Sequence, residues 1–213
     1  MTMLLGARVP GRRRIAAAAL LCASSLGSSA CAERSQRPIP LSTVSVLRPA
    51  DNRPLRWCPS RRDTLAVWVD SATWVSGWEP EFMRLVADAG EAWRAAGVPV
   101  HFARAGSPDS ADVRVHWVRW KDGTERGATT WALDASGELI GAEVTIVLAP
   151  RRTLPVSSAT LLYPIVLHEV GHALGLPHAR SSDSVMYFRT GGALTLGDSD
   201  RKAVRAAYSG ASN

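Results

Sequence analysis

Cysteine is scarce in this chain of 213 residues, which contains Cys22, Cys31 and Cys58 and no others. Small exported domains that depend on a disulfide framework contain many more cysteines, so such a framework is excluded as the basis of the fold. The sequence also lacks an internal repeat, a glycine-rich phosphate-binding loop and an apolar run long enough to span a bilayer. These absences argue against repeat architectures and against nucleotide binding through a phosphate loop.

A large excess of positive charge is also absent once the first thirty residues are set aside. The full chain has 25 Lys and Arg against 19 Asp and Glu, a formal net charge of +6. Residues 1–30 contain four arginines and no acidic residue, which leaves 21 basic against 19 acidic residues, a net charge of +2, in residues 31–213. The arginines there are scattered and form no basic stripe, so we expect no nucleic-acid partner.

The N-terminus has the three regions of a secretory signal peptide, which we assign to residues 1–30. Three arginines at residues 12–14 precede a largely apolar run over residues 15–26, and small residues follow up to Ala30. We therefore expect export to the cell envelope or the extracellular space. A second interpretation is that Cys31 is acylated, which would anchor the protein to a membrane as a lipoprotein.

Residues 168–178 read H-E-x-x-H-x-x-G-x-x-H and contain three of the five histidines of the chain. On a helix, His168 and His172 are four residues apart and project from the same face, so both imidazoles can reach one metal ion. Gly175 tolerates the left-handed conformation that ends a helix, and His178 can then return as a third ligand. Three nitrogen ligands leave an open position for water on a tetrahedral zinc ion, which is the arrangement of a catalytic site.

Glu169 lies beside these ligands in the sequence and is the candidate general base. Zinc lowers the pKa of a bound water and polarises a carbonyl group, while a carboxylate can take the water's proton and pass it to a leaving amine. The alternative is an ordinary helix with two solvated histidines and a surface glutamate. That alternative explains H-E-x-x-H but not the added glycine and third histidine, so the motif predicts a hydrolase with one zinc ion.

This motif resembles that of the metzincin zinc peptidases, and Met186, eight residues after His178, resembles the methionine turn of their matrixin branch. The resemblance implies an α+β fold in which a mixed twisted sheet is combined with a long helix, an active-site helix and a C-terminal helix. It also implies that Met186 forms an apolar floor under the three imidazoles. Residues 59–213 would be the matrixin-like zinc metallopeptidase domain, and residues 31–58 a tether or short pro-region. Structural calcium is usual in matrixins, but no acidic loop in this sequence supports it.

The resemblance assigns substrate contacts to Gly127, Ala128 and Thr129, in the edge strand along which an extended peptide would lie. An ordinary exposed strand is the alternative. Many matrixins also carry a propeptide cysteine that caps the zinc ion, but the rest of that motif is absent around Cys58. A buried thiol and a bond to Cys31 are the other interpretations of Cys58.

Apolar patterns predict the remaining elements. Alternation of apolar and polar residues indicates strands, and apolar residues at helical spacing indicate a helix that begins at Pro80 and stops at Gly97. An amphipathic helix is expected after Asp200. The predicted strands are residues 64–69, 98–103 and 113–118, followed by a hairpin of residues 127–133 and 140–148.

We therefore expect an exported zinc-dependent endopeptidase that hydrolyses peptide bonds of a protein or peptide substrate through a zinc-bound water, with Glu169 as the general base. Two alternatives remain: a zinc amide hydrolase that acts on a cell-wall peptide, and a non-catalytic peptide-binding module on the same fold. The presence of Glu169 argues against the last, because a module without catalysis has no need of a base. Contact with a membrane is expected only through a lipid anchor on Cys31.

Overall fold

The computed structural model describes residues 54–121, 123–188 and 193–208. The predicted signal peptide and Cys31 lie outside these residues, as does most of the predicted tether. Within them, no helix is long and apolar enough to cross a membrane.

Five strands of the described residues form one mixed sheet. They are β1 (Thr64–Val69), β2 (His101–Arg104), β3 (Val113–Val118), β4 (Gly127–Leu133) and β5 (Leu139–Val147). From one edge to the other their order is β2-β1-β3-β5-β4; neighbours among the first four are parallel, and β4 runs antiparallel to β5. β4 therefore forms one edge of the sheet.

In the part of the chain that the structure describes, three α-helices accompany the sheet, and the predicted α+β architecture is thereby confirmed. They are α1 (Phe82–Ala95), α2 (Ala159–Ala173) and α3 (Asp198–Tyr208). α1 packs against β2 and α2, while α2 also packs against β4 and β5. α2 thus contacts both the long helix α1 and the edge of the sheet formed by β4 and β5.

Burial explains why these segments form strands and helices. In β3, Val113, Val115 and Trp117 are buried and alternate with less buried residues, as a strand with one face toward the core requires. In α1, the buried side chains recur every three or four residues, which is the core stripe expected of a helix. They are Phe82, Leu85, Val86, Ala89 and Trp93.

Several predicted boundaries were wrong. α3 begins at Asp198 and not after Asp200, because both aspartates lie in its first turn. β5 spans Leu139–Val147 and not residues 140–148, and β2 ends at Arg104 and not at residue 103, as the strand pairing shows.

α1 begins at Phe82 and not at Pro80, because residues 80 and 81 form a turn before the helix. β2 begins at His101 and not at residue 98, because pairing with β1 starts where His101 meets Thr64. Val98 is buried without being part of the ladder, so its apolar character reflects core packing.

The end of the predicted tether packs against the domain. We call residues 55–58 the N-terminal strap. The Leu55 amide donates to the Gly175 carbonyl at 2.8 Å, and the Trp57 indole donates to the Ala173 carbonyl at 3.0 Å. Trp57 is 1% exposed, and Cys58 is buried and disulfide-bonded, so it has no thiol to offer a metal ion. The strap therefore lies against the end of α2.

Candidate active site

The turn after α2 positions the third histidine. α2 ends at Ala173, and Gly175 has a φ of +87°, the left-handed region that favours glycine. The Gly175 amide donates to the His172 carbonyl at 2.8 Å, and the Leu176 amide donates to the Gly171 carbonyl at 3.0 Å. This pair of bonds is a Schellman motif, which reverses the chain and satisfies two carbonyls at the helix end.

The reversal brings His168, His172 and His178 into one cluster. One possible ligand atom from each lies within 4.8 Å of the others. The ring centroids of His172 lie 4.7 Å from those of His168 and 4.6 Å from those of His178. Within the described ranges, no other group of three or more His, Cys, Asp or Glu side chains could hold a metal ion.

The hydrogen bonds of two rings select the nitrogen that faces a metal ion. Nδ1 of His168 lies 2.7 Å from the Val185 carbonyl, and Nδ1 of His172 lies 2.8 Å from the Leu176 carbonyl. A carbonyl oxygen can only accept, so both Nδ1 atoms carry the proton and both Nε2 atoms are available as ligands. The donor set therefore fits zinc, for which neutral imidazole nitrogens are common ligands.

Burial keeps these imidazoles neutral. It lowers the pKa of His172 to about 3, with a smaller contribution from the neighbouring His168. Burial also lowers the pKa of His168, although its hydrogen bond to the Val185 carbonyl acts in the opposite direction. Neutral rings at pH 7 are the form that binds a metal ion without first losing a proton.

Met186 packs directly against the helix segment that carries the histidines. It is 1% exposed, and a Cβ on Gly171 would lie 2.4 Å from its sulfur and 2.7 Å from Cζ2 of Trp93. Glycine at position 171 has no side chain, which allows Met186 and Trp93 to pack closely against α2. The Met186 carbonyl accepts from the Ala179 amide at 2.7 Å, which joins this turn to the segment after His178.

A buried carboxylate that the sequence did not reveal holds the Met186 turn in place. Asp200, in the first turn of α3, is 0% exposed. It accepts hydrogen bonds from the Ser184 hydroxyl at 2.6 Å, the Val185 amide at 3.1 Å and the Gly197 amide at 2.9 Å. Because the carbonyl of Val185 orients the ring of His168, Asp200 supports a metal ligand through one intervening residue.

Glu169 is 6% exposed and faces β4. The Thr129 hydroxyl lies 2.7 Å from Oε2 of Glu169 and 3.1 Å from its backbone carbonyl. Burial raises the pKa of Glu169 to about 7, and the hydrogen bond from Thr129 opposes this rise. A carboxylate with a pKa near neutrality is suited to exchange a proton at physiological pH.

β4 directs alternate residues toward α2. Gly127 and Thr129 lie against Glu169, and the Trp131 indole donates to the His172 carbonyl at 2.9 Å. Because β4 is an edge strand, the backbone of Gly127, Ala128 and Thr129 lies where the substrate contacts were predicted; their role in binding stays a prediction. The contact between Thr129 and Glu169 was missed, because forty residues separate the two and no local pattern links them.

Three clustered imidazoles and a buried carboxylate, carried by one helix and its following turn, define the site of a metal-dependent hydrolase. Residues 64–209 match the family model of peptidase M10, matrixin, so the chain belongs to the matrixin family of metallopeptidases. The predicted resemblance is thereby confirmed. Membership implies a protein or peptide substrate and a catalytic zinc ion as the family's cofactor. A comparison with curated proteins found no match.

Proposed function

We propose that this protein is an exported zinc-dependent endopeptidase. The observation that carries the proposal is the cluster of three imidazoles on the helix, and the turn after it, that also carry the buried carboxylate of Glu169. Glu169 and His172 both contact the edge strand β4. His168, His172 and His178 would hold the zinc ion, the first two through Nε2. When bound, zinc acts as a Lewis acid toward the attacking water and the scissile carbonyl.

Glu169 performs the proton transfer in this proposal. Its carboxylate takes a proton from the attacking water and then donates it to the nitrogen of the leaving amine, which turns a poor leaving group into a neutral amine. Burial of Glu169 raises the pKa of its carboxyl, which strengthens its affinity for the proton that it takes from the water and later passes on. Burial of Glu169 against β4 limits the access of bulk water to the carboxylate.

Gly127, Ala128 and Thr129 bind the substrate backbone in this proposal. An extended peptide can add to the open edge of β4 through main-chain hydrogen bonds, which recognise any peptide backbone and leave sequence preference to side-chain pockets. The position of β4 at the end of the sheet and its contact with Glu169 support this assignment. A chain bound there would pass close to the carboxylate.

Export is proposed from the N-terminal pattern of arginines, apolar residues and small residues over residues 1–30. Mass analysis of the N-terminal peptide of the exported protein tests this assignment and its lipoprotein alternative. A free new N-terminus near Cys31 supports cleavage of a signal peptide, and added diacylglycerol on Cys31 identifies a lipid anchor. An uncleaved N-terminus contradicts both.

A peptide library incubated with the zinc-loaded protein tests the activity. We expect cleavage at internal bonds, lost on addition of a chelator and reduced about 100- to 10,000-fold in Glu169→Gln, which keeps the size of the side chain but removes the base. Cleavage by Glu169→Gln at the wild-type rate contradicts the role of Glu169. A protein that binds zinc and cleaves no peptide contradicts endopeptidase activity.

A further inference from the structure

Two residues on one face of β4 surround the carboxylate of Glu169. Gly127 and Thr129 are separated by one residue, so their side-chain positions point to the same face of the strand. That face is directed at α2, because both positions contact Glu169. The contacts are of two kinds: one residue provides space and the other provides a hydrogen bond.

Gly127 provides the space. A Cβ at this position would lie 2.6 Å from Cγ, 2.6 Å from Oε1 and 2.8 Å from Cδ of Glu169. Real Cβ atoms are not found so close to other heavy atoms, so any larger residue would displace the carboxylate. The φ of Gly127 is not in the left-handed region, so a close approach and not a special backbone conformation explains glycine here.

Thr129 provides the hydrogen bond. Its hydroxyl has a single proton, and the shorter of its two contacts is the one to Oε2 of Glu169, at 2.7 Å. A hydroxyl bound to an ionised carboxylate is one of the stronger hydrogen bonds in proteins. Thr129 is β-branched and therefore has few rotamers, so its hydroxyl is held in a fixed direction.

A general base must be held within hydrogen-bond distance of the proton that it removes. A glutamate side chain has three rotatable bonds, and fixing it costs conformational entropy that the surrounding structure must offset. The face of β4 supplies what α2 alone does not: a surface that limits where the carboxylate can go and a donor that fixes one oxygen.

We propose that Gly127 and Thr129 are positioning residues that form a seat for the Glu169 carboxylate. Thr129 holds Oε2, Gly127 leaves room for Oε1, and Oε1 is the oxygen that meets the attacking water. This inference rests on the proposed function of Glu169 as general base. It gives the edge strand a second role, because the strand proposed to bind the substrate backbone also aligns the base.

Three variants test the hydrogen bond. Thr129→Val keeps the shape of the side chain and removes the hydroxyl, whereas Thr129→Ser keeps the hydroxyl. Thr130→Val is the matched control, since it makes the same change on the opposite face of β4. We expect Thr129→Val to lower the pH-plateau value of kcat about 10- to 100-fold with little change in KM. Thr129→Ser is expected to recover most of this loss, and Thr130→Val to resemble the wild type.

Gly127→Ala tests the space. The atoms that a new Cβ would meet belong to the flexible end of a side chain, so the protein should fold and bind zinc while the carboxylate moves. Crystal structures of the zinc-loaded variants provide a readout that does not depend on activity. We expect Glu169 to be displaced in Gly127→Ala and Thr129→Val, with the three histidines unchanged.

Two results would overturn the proposal that Gly127 and Thr129 position Glu169. One is a wild-type pH-plateau kcat in Thr129→Val. The other is an unmoved carboxylate in the crystal structures of both variants. A wild-type protein that cleaves no peptide contradicts the proposed function instead, and the crystal structures still decide whether Gly127 and Thr129 position Glu169. A loss of kcat that Thr129→Ser does not recover would assign the effect to packing and contradict the hydrogen bond.

Discussion

The metal-ligand cluster and the general base lie on the same helix, but different parts of the chain support them. The rings of His168 and His172 are oriented by backbone carbonyls of the segments that follow α2. Glu169, one residue after His168, is held by a hydrogen bond from Thr129 of β4. The metal ligands and the general base therefore have separate structural supports, so mutations should be able to impair metal binding and spare proton transfer, or the reverse.

Loss of one of the three histidines should weaken zinc binding strongly. In His172→Ala one of three ligands is lost, and we expect zinc affinity to fall by more than about 100-fold, since even partners that merely support a ligand contribute 10- to 100-fold. Competition with a chromophoric chelator measures the affinity. Glu169→Gln is the matched control on the neighbouring support, and a comparable loss of zinc in that variant would contradict the separation.

Substitution of Asp200 tests whether α3 helps to hold the metal ligands in place. In Asp200→Ala the hydroxyl of Ser184 and the amides of Val185 and Gly197 lose their buried acceptor. We expect a loss on the order of 3 to 4 kcal/mol in the free energy of unfolding, because buried donors without partners are costly. Urea unfolding measures this loss.

Zinc affinity should decrease as well in Asp200→Ala, because the Val185 carbonyl that orients His168 is no longer fixed. Ser199→Ala, in the same turn of α3 but with a side chain that bonds the exposed Asp183, is the matched control. Full zinc affinity in a destabilised Asp200→Ala protein would show that the turn supports the fold and not the ligand.

Ionisation of Glu169, the proposed general base, should make the stability of the protein depend on pH. Burial raises the pKa of Glu169 from 4.5 to about 7, so the folded protein binds this proton more tightly than the unfolded chain does. Stability from this group is therefore highest below about pH 4.5 and decreases as the pH rises to about 7. At about 1.4 kcal/mol for each pKa unit, the decrease is on the order of 3 kcal/mol.

Chelator-treated protein is the sample for this measurement, because a bound cation would change the charge beside Glu169. The difference in unfolding free energy between Glu169→Gln and the wild type should grow between pH 4.5 and 7.5, since the glutamine cannot ionise. His172 titrates in both proteins, so its contribution largely cancels in the difference. A difference in unfolding free energy that stays constant over this range would show that burial does not raise the pKa of Glu169.

The sequence predicted the metal side better than the base side, for a physical reason. The three histidines and Gly175 lie within eleven residues, so helical geometry and one turn decide where they meet. The bounds of β1, β3 and β4 also followed from local alternation. Thr129 and Asp200 act on residues forty and fifteen or sixteen positions away. Such contacts depend on how the sheet packs against α2 and how α3 returns to it, which local patterns do not encode.

Substitution of Trp131 should have a small effect on stability. It also tests whether the metal ligands and the general base have separate supports, because Trp131 connects the strand that holds Glu169 to the ligand His172. Trp131 belongs to β4, yet its indole donates to the carbonyl of the ligand His172, and its ring lies edge-on to that imidazole with centroids 6.0 Å apart. Trp131→Phe keeps an aromatic ring and removes the donor. We expect a loss of about 1 kcal/mol in the free energy of unfolding, the value of one hydrogen bond.

Zinc affinity should stay near the wild-type value in Trp131→Phe, because the Leu176 carbonyl and not β4 sets the orientation of the His172 ring. Trp57→Phe is the matched comparison, since it removes an indole donor from the next carbonyl of the helix, that of Ala173, without touching β4. A tenfold or greater loss of zinc affinity in Trp131→Phe alone would show that β4 supports the ligands as well as the base. The metal ligands and the general base would then share one structural support.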